Sequence, residues 1–133
     1  MFKNDIHKKI FEKQLAIYEK KGYGLSNKFV ATLFIISANS FLWNACKGHI
    51  KPNTIDFSNI DIKGIKTDSY SLLKAAKSIY YKDSEISFTE MADNYLTKDY
   101  VFKTIINGII IYRYGYKKGQ IIIKTKEHNY DNE

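Results

Sequence analysis

Eighteen consecutive residues without a charge, Phe29 to Cys46 (FVATLFIISANSFLWNAC), stand between Lys28 and Lys47. A run of that length is just enough to cross a bilayer core as a helix. Thr32, Ser37, Asn39, Ser40 and Asn44 fall inside it, however, and amides at mid-bilayer are costly without partners. A helix apolar on nearly all sides reads instead as the buried centre of a helical bundle. The expectation is one almost wholly apolar central helix over residues 26–47, capped by Ser26 or Asn27. A membrane partner is disfavoured.

The flanking segments supply helices to pack around that centre. Ile6, Ile10, Phe11, Leu15, Ile17 and Tyr18 recur at helical spacing, giving a first helix over about 4–21 that Gly22 and Gly24 stop. Residues 48–66 hold the only proline and show no helical period. They read as an ordered loop pinned by Ile55, Phe57, Ile60, Ile62 and Ile65, with room for a short strand. Thr67 or Asp68 caps a third helix with Leu72, Leu73, Ala76, Ile79 and Tyr80 on one face. Ser87 with Glu90 forms a capping box for a short fourth helix to about Leu96, and Thr97 can cap a fifth. The fold class is all-α: a single domain over residues 1–133, about five helices, ending in a basic tail at 116–133. A chain of 133 residues is long enough for such a core. One cysteine, Cys46, allows no intrachain disulfide, and the start MFKNDIHKKIFEKQ has no apolar leader, so a cytoplasmic location is expected.

The net charge of +7 must be discounted before it is read as function. Ile, Lys, Tyr and Asn, whose codons are AT-rich, supply 61 of the 133 residues. Of 21 basic residues only Arg113 is arginine, the side chain whose planar fork reads guanine; lysine acts mainly as a point charge toward phosphates or acidic partners. The charge is also local. Between Asp99 and Glu127 there is no acidic side chain, while Lys103, Arg113, Lys117, Lys118, Lys124 and Lys126 fall there.

Residues 88–124 admit two readings. As helix, turn, helix and a β-hairpin at 109–124 with the basic tip GYKKG, they form a winged or helix-turn-helix DNA-binding module. Lys98, Lys103, Thr104 and Asn107 would then face the major groove, with Arg113, Lys117 and Lys118 along the phosphates or the minor groove. As a continuous helix, they show Val101, Phe102, Ile105, Ile106, Ile109, Ile110 and Arg113 in one stripe running through Gly108, which costs only about 1 kcal/mol in a helix interior. Asp99 at the start of a recognition helix would repel phosphate, so the periodicity favours the continuous helix. Arg113, Tyr114, Tyr116, Lys117 and Lys118 then form a basic aromatic rim suited to an acidic protein or nucleoprotein partner, since tyrosine and arginine anchor interfaces disproportionately. Stacking on single-stranded bases is the nucleic-acid counterpart.

No catalytic motif stands out, and no cofactor is implied. His7, His49 and His128 are scattered. Cys46 and His49 have C-x-x-H spacing, but a structural zinc site needs four ligands and no second pair follows. Cys46 reads as a small core residue. A non-enzymatic protein is expected.

The segments FVATLFIISAN, IDF, SYSLLKAAKSIYY and KDYVFKTIINGIIIYRYG, in that order across residues 1–115, resemble small uncharacterised, mainly helical proteins of low-GC Gram-positive bacteria and their phages and mobile elements. The resemblance implies a mainly helical domain with 98–113 helical, and no catalytic residues. It also suggests an activity exerted by occupying a host macromolecule, such as a defence nuclease. The chain from Tyr116 onward departs from it.

Overall fold

The uncharged run folds as two helices rather than one. The computed structural model describes residues 1–117 and the backbone of residues 120 and 121. Among them the run becomes α2 (Asn27–Ser37) and α3 (Ser40–Cys46), so the single helix expected over 26–47 is corrected. Asn39 divides them. Its backbone is extended (φ −131°, ψ 125°), and its Oδ1 accepts from Leu42 N–H at 2.9 Å to cap α3. A short amide side chain that can satisfy a helix's first N–H groups competes with helix continuation, and here it wins. The same Oδ1 accepts from Ser69 Oγ at 2.9 Å, and Nδ2 donates to the Tyr100 hydroxyl at 3.2 Å. No helix among the described residues is long and apolar enough to cross a membrane.

Four further helices are described: α1 (Asp5–Lys20), α4 (Thr67–Tyr81), α5 (Phe88–Ala92) and α6 (Asp99–Tyr114). Every residue from Phe29 to Ser37 is buried, with α1, α3, α4 and α6 packed around it. Each large apolar side chain fully buried there contributes about 1.5–3 kcal/mol. The polar members of α2 need no outside partner. Thr32 Oγ1 donates to Lys28 O at 2.8 Å, and Ser37 Oγ to Phe34 O at 3.1 Å.

On α1, capped by Asn4, His7 is turned into the core beside Phe34. Its Nδ1 accepts from Lys3 N–H at 3.0 Å, which places the proton on Nε2, donating to Phe34 O at 2.8 Å. Burial disfavours the cation and lowers its pKa to about 4.

The 48–66 loop is ordered as expected. It holds a two-residue antiparallel hairpin, β1 (Ile50–Lys51) with β2 (Thr54–Ile55), and Ile55 and Phe57 are buried. Ile55 N–H donates to the Tyr80 hydroxyl at 3.1 Å. Ile62, by contrast, is exposed.

Helix α6 runs unbroken through Gly108 to Tyr114, where Gly115, at φ 84°, ends it. Residues 109–114 are therefore helical rather than strand, and among the described residues the hairpin pairs β3 (Tyr116–Lys117) with β4 (Gln120–Ile121); its expected part at 122–124 lies outside them. Three ends differ from expectation. Neither Thr67 nor Asp68 caps α4, whose N-cap is Lys66 with no side-chain capping bond. Helix α5 stops at Ala92 rather than near Leu96, and Thr97 does not cap α6. Its hydroxyl turns back to donate to Glu90 O at 2.7 Å, leaving Lys98 as an N-cap without a side-chain bond.

Candidate functional site

An apolar groove lies where α4, α5 and α6 meet. Its larger part, about 390 Å³, is lined by Ala75, Ile79, Ile86, Phe88, Met91, Ile105 and Ile109, with Ser78, Asp83, Ser84 and Ser87 at its edge. A second depression of about 300 Å³ shares Ser78, Ile79 and Ile109 and adds Lys82 and Tyr112. The two adjoin across Ser78, Ile79 and Ile109, with Phe88 lining the first and Tyr112 the second.

The walls are fixed by polar bonds that leave the floor apolar. Ser87 and Glu90 make the expected capping box of α5. Lys74 Nζ reaches Glu90 Oε2 at 2.9 Å, and Lys77 pairs with Glu85 at 3.6 Å, tying α4 to α5 and to the preceding loop. The Lys74 ammonium and the Ser87 N–H hold the Glu90 carboxyl below the usual carboxylate range. Ser78 Oγ donates to Lys74 O and accepts from Glu85 N–H. Phe88, 85 % exposed, is left at the mouth.

Lys82 closes α4 in the left-handed region, at φ 56° and ψ 48°. Glycine is the usual occupant of such a position, because a Cβ is strained there. A strained lysine at the rim of an apolar groove fixes a cation where a glycine would be more stable.

The basic rim begins where the groove ends. Tyr112 precedes Arg113, which is exposed, its guanidinium carbon 5.4 Å from the centroid of the half-buried Tyr114 ring. Lys117 is exposed as well. Tyr116, read from the sequence as a contact, turns onto α1. Its hydroxyl donates to Glu12 Oε2 at 3.0 Å, and its ring packs edge-on against Phe11 at 4.9 Å. It anchors the hairpin so that Lys117, next along the strand, faces outward. Lys118 lies outside the described residues.

The residues expected to read DNA are dispersed in role. Lys98 pairs with Asp68 at 3.2 Å and Lys103 with Asp99 at 3.0 Å. Asn107 Nδ2 donates to Met1 O at 3.2 Å. Thr104 is buried, its hydroxyl donating to Tyr100 O at 2.6 Å, so it does not present to a groove. On the short α5 that precedes them, Met91 is buried and Ala92 is exposed.

Burial in apolar surroundings pushes the Cys46 thiol up to about 12, the opposite of what a nucleophile needs. Among the described residues, His, Cys, Asp and Glu side chains do not gather in groups of three or more that could hold a metal.

Sequence reading missed the groove. Its walls come from residues 75–79, 83–91 and 105–112, and nothing local in any one of them announces a concavity. The available signal was an aromatic, Phe88, directly after the N-cap Ser87, where a helix's first turn commonly faces solvent.

No family model, no curated protein and no solved structure matches this chain.

Proposed function

We propose that this chain is a non-enzymatic binding protein whose groove and basic α6 end together receive an acidic, amphipathic segment of a protein or nucleoprotein partner. The observation that carries this reading is that the groove adjoins a second apolar depression lined by Lys82 and Tyr112, one residue before Arg113. An amphipathic helix laid in such a groove buries its apolar face against Ile79, Met91 and Ile109. Acidic side chains at one end of it meet Lys82, Arg113 and Lys117. The left-handed Lys82 adds weight, because strain retained at a surface position points toward use of that side chain. The resemblance to phage and mobile-element proteins makes a host-defence component the partner class to try first.

A direct test uses fluorescence anisotropy with three probes at two salt concentrations. One is a designed helical peptide with leucines along one face and glutamates beside them. The others are a control peptide with serines for the leucines and a labelled mixed-sequence DNA duplex. The reading expects saturable binding of the first peptide and at least about tenfold weaker binding of the control. Tight duplex binding that falls by about one log unit per log salt for each phosphate neutralised, with no peptide binding, would put nucleic acid in its place.

A further inference from the structure

Residues 1–3, ahead of α1, form a strap over an aromatic cluster. Phe2 sets its half-buried ring among His7, Phe34, Phe11 and Tyr116, at centroid separations of 5.2, 5.6, 5.9 and 6.4 Å. Lys3 N–H donates to His7 Nδ1 at 3.0 Å, and the Lys3 ammonium lies 4.1 Å from the centroid of the Tyr100 ring. Met1 O accepts from Asn107 on α6. Among these contacts the bond to His7 is the one that a proton can break. A neutral imidazole accepts at one nitrogen, whereas an imidazolium carries N–H on both. Protonation therefore sets two donors face to face between Lys3 and Nδ1, and leaves the Nε2 bond to Phe34 O in place. The break falls on the strap and spares the tie between α1 and α2.

We propose that His7 is an acid-operated latch: protonating its ring releases residues 1–3 and uncovers the sides of Phe11, Phe34 and Tyr116 that Phe2 covers, while the helices stay packed. The surrounding charges act in the same direction. Those that bear on the ring, the Lys3 ammonium and the Met1 amino group, are both positive and both on the strap. Helix α2 presents Phe34 and carries no charge beyond Lys28 near its start. On α1, Asp5 and Lys8 are exposed, and Glu12 accepts from the Tyr116 hydroxyl of β3. On α6, Asp99 pairs with Lys103 beside a cavity of about 350 Å³ that residues 1–3 also line. An imidazolium here repels the strap and meets no carboxylate. Burial, with the two cations adding to it, holds the pKa of the closed ring at about 4, against 6.5 for a free one. Above 6.5 the ring is neutral with the strap closed or open, and pH has no effect on the latch. Once released, the ring meets water, so each pH unit below 6.5 favours release about tenfold until the open form dominates.

A pH titration of the isotope-labelled chain from about pH 7 to about pH 3.5, followed residue by residue by nuclear magnetic resonance, tests this. Between 6.5 and 4 the Lys3 amide loses at least about tenfold of its protection against hydrogen exchange, corrected for the intrinsic rate. Backbone relaxation of residues 2 and 3 becomes that of a free segment, while amides of α2 and α6 keep their protection. In His7→Gln a side-chain oxygen accepts from Lys3 N–H and the amide donates to Phe34 O at any pH, so the response disappears. Phe2→Ala leaves the ring unaltered but weakens the closed strap, and raises the pH at which it opens. Constant protection of Lys3 down to pH 4, loss of protection in α2 together with Lys3, or the same response in His7→Gln overturns the proposal. The readout is the strap itself, so the result is independent of peptide binding at the groove.

Discussion

A Cβ placed on Gly108 would lie 2.7 Å from Ile35 Cδ1 and 2.8 Å from its Cγ1. Gly108 therefore marks the closest approach of α6 to the central helix rather than the end of a helix. Alanine there gains about 1 kcal/mol of helix propensity but overpacks the crossing at a cost of about 1–3 kcal/mol. Gly108→Ala is expected to destabilise the fold by up to about 2 kcal/mol in urea unfolding, and shortening Ile35 to valine beside it to recover part of that loss.

Asn39 joins three elements through one side chain. Asn39→Ala removes the α3 cap and leaves Ser69 and Tyr100 without their partner, a loss of about 2–3 kcal/mol in the same assay. Asn39→Asp keeps the capping oxygen and should lose less. Equal losses would mean that the donor to Tyr100, rather than the cap, carries the effect.

His7 sets an acid limit. Its pKa is 6.5 unfolded and about 4 folded. Above 6.5 the ring is neutral in both states and its titration adds nothing. As pH falls from 6.5 toward 4, only the unfolded chain takes up the proton, so stability falls, by about 3 kcal/mol across the window. Below 4 both states are protonated and the loss levels off. His7→Gln is expected to flatten the stability profile between pH 6.5 and 4; a profile parallel to that of the unaltered chain would place the acid sensitivity elsewhere.

These three sites show which signals a sequence carries. The Ser26 cap, the Ser87–Glu90 box and the continuous helix through residue 108 were legible because each depends on neighbours within one or two turns. The break at Asn39 was hidden because an uncharged run looks the same whether helical throughout or interrupted. Exposure misled in both directions. Thr104 is polar yet buried, because its own helix accepts its proton, whereas Phe88 and Tyr95 are aromatic yet lie largely in solvent. The rim was legible as charge, but the inward turn of Tyr116 depends on Glu12 and Phe11, about a hundred residues away.

Lys82 should separate stability from binding. Lys82→Gly relieves the left-handed strain and is expected to raise stability by about 0.5–1 kcal/mol while weakening acidic-peptide binding. A gain in stability with unchanged affinity would remove Lys82 from the contact surface.

Cys46 is expected to resist thiol reagents until the chain unfolds. Its labelling rate at pH 8 should be far below that of a free cysteine and should rise with urea in step with loss of helix. Rapid labelling of the folded chain would contradict its placement.

The measurement closest to the central claim compares acidic amphipathic peptide affinity in two double variants, Phe88→Ala with Tyr112→Ala and Arg113→Glu with Lys117→Glu. The first strips the two ends of the groove and the second reverses the rim. All four side chains are exposed, so melting temperatures should stay close to that of the unaltered chain. If groove and rim form one surface, each pair weakens binding at least about tenfold, and only the rim pair flattens its salt dependence. Unchanged affinity in the groove pair, with the rim pair abolishing binding, would contradict the account and leave charge alone as the recognition.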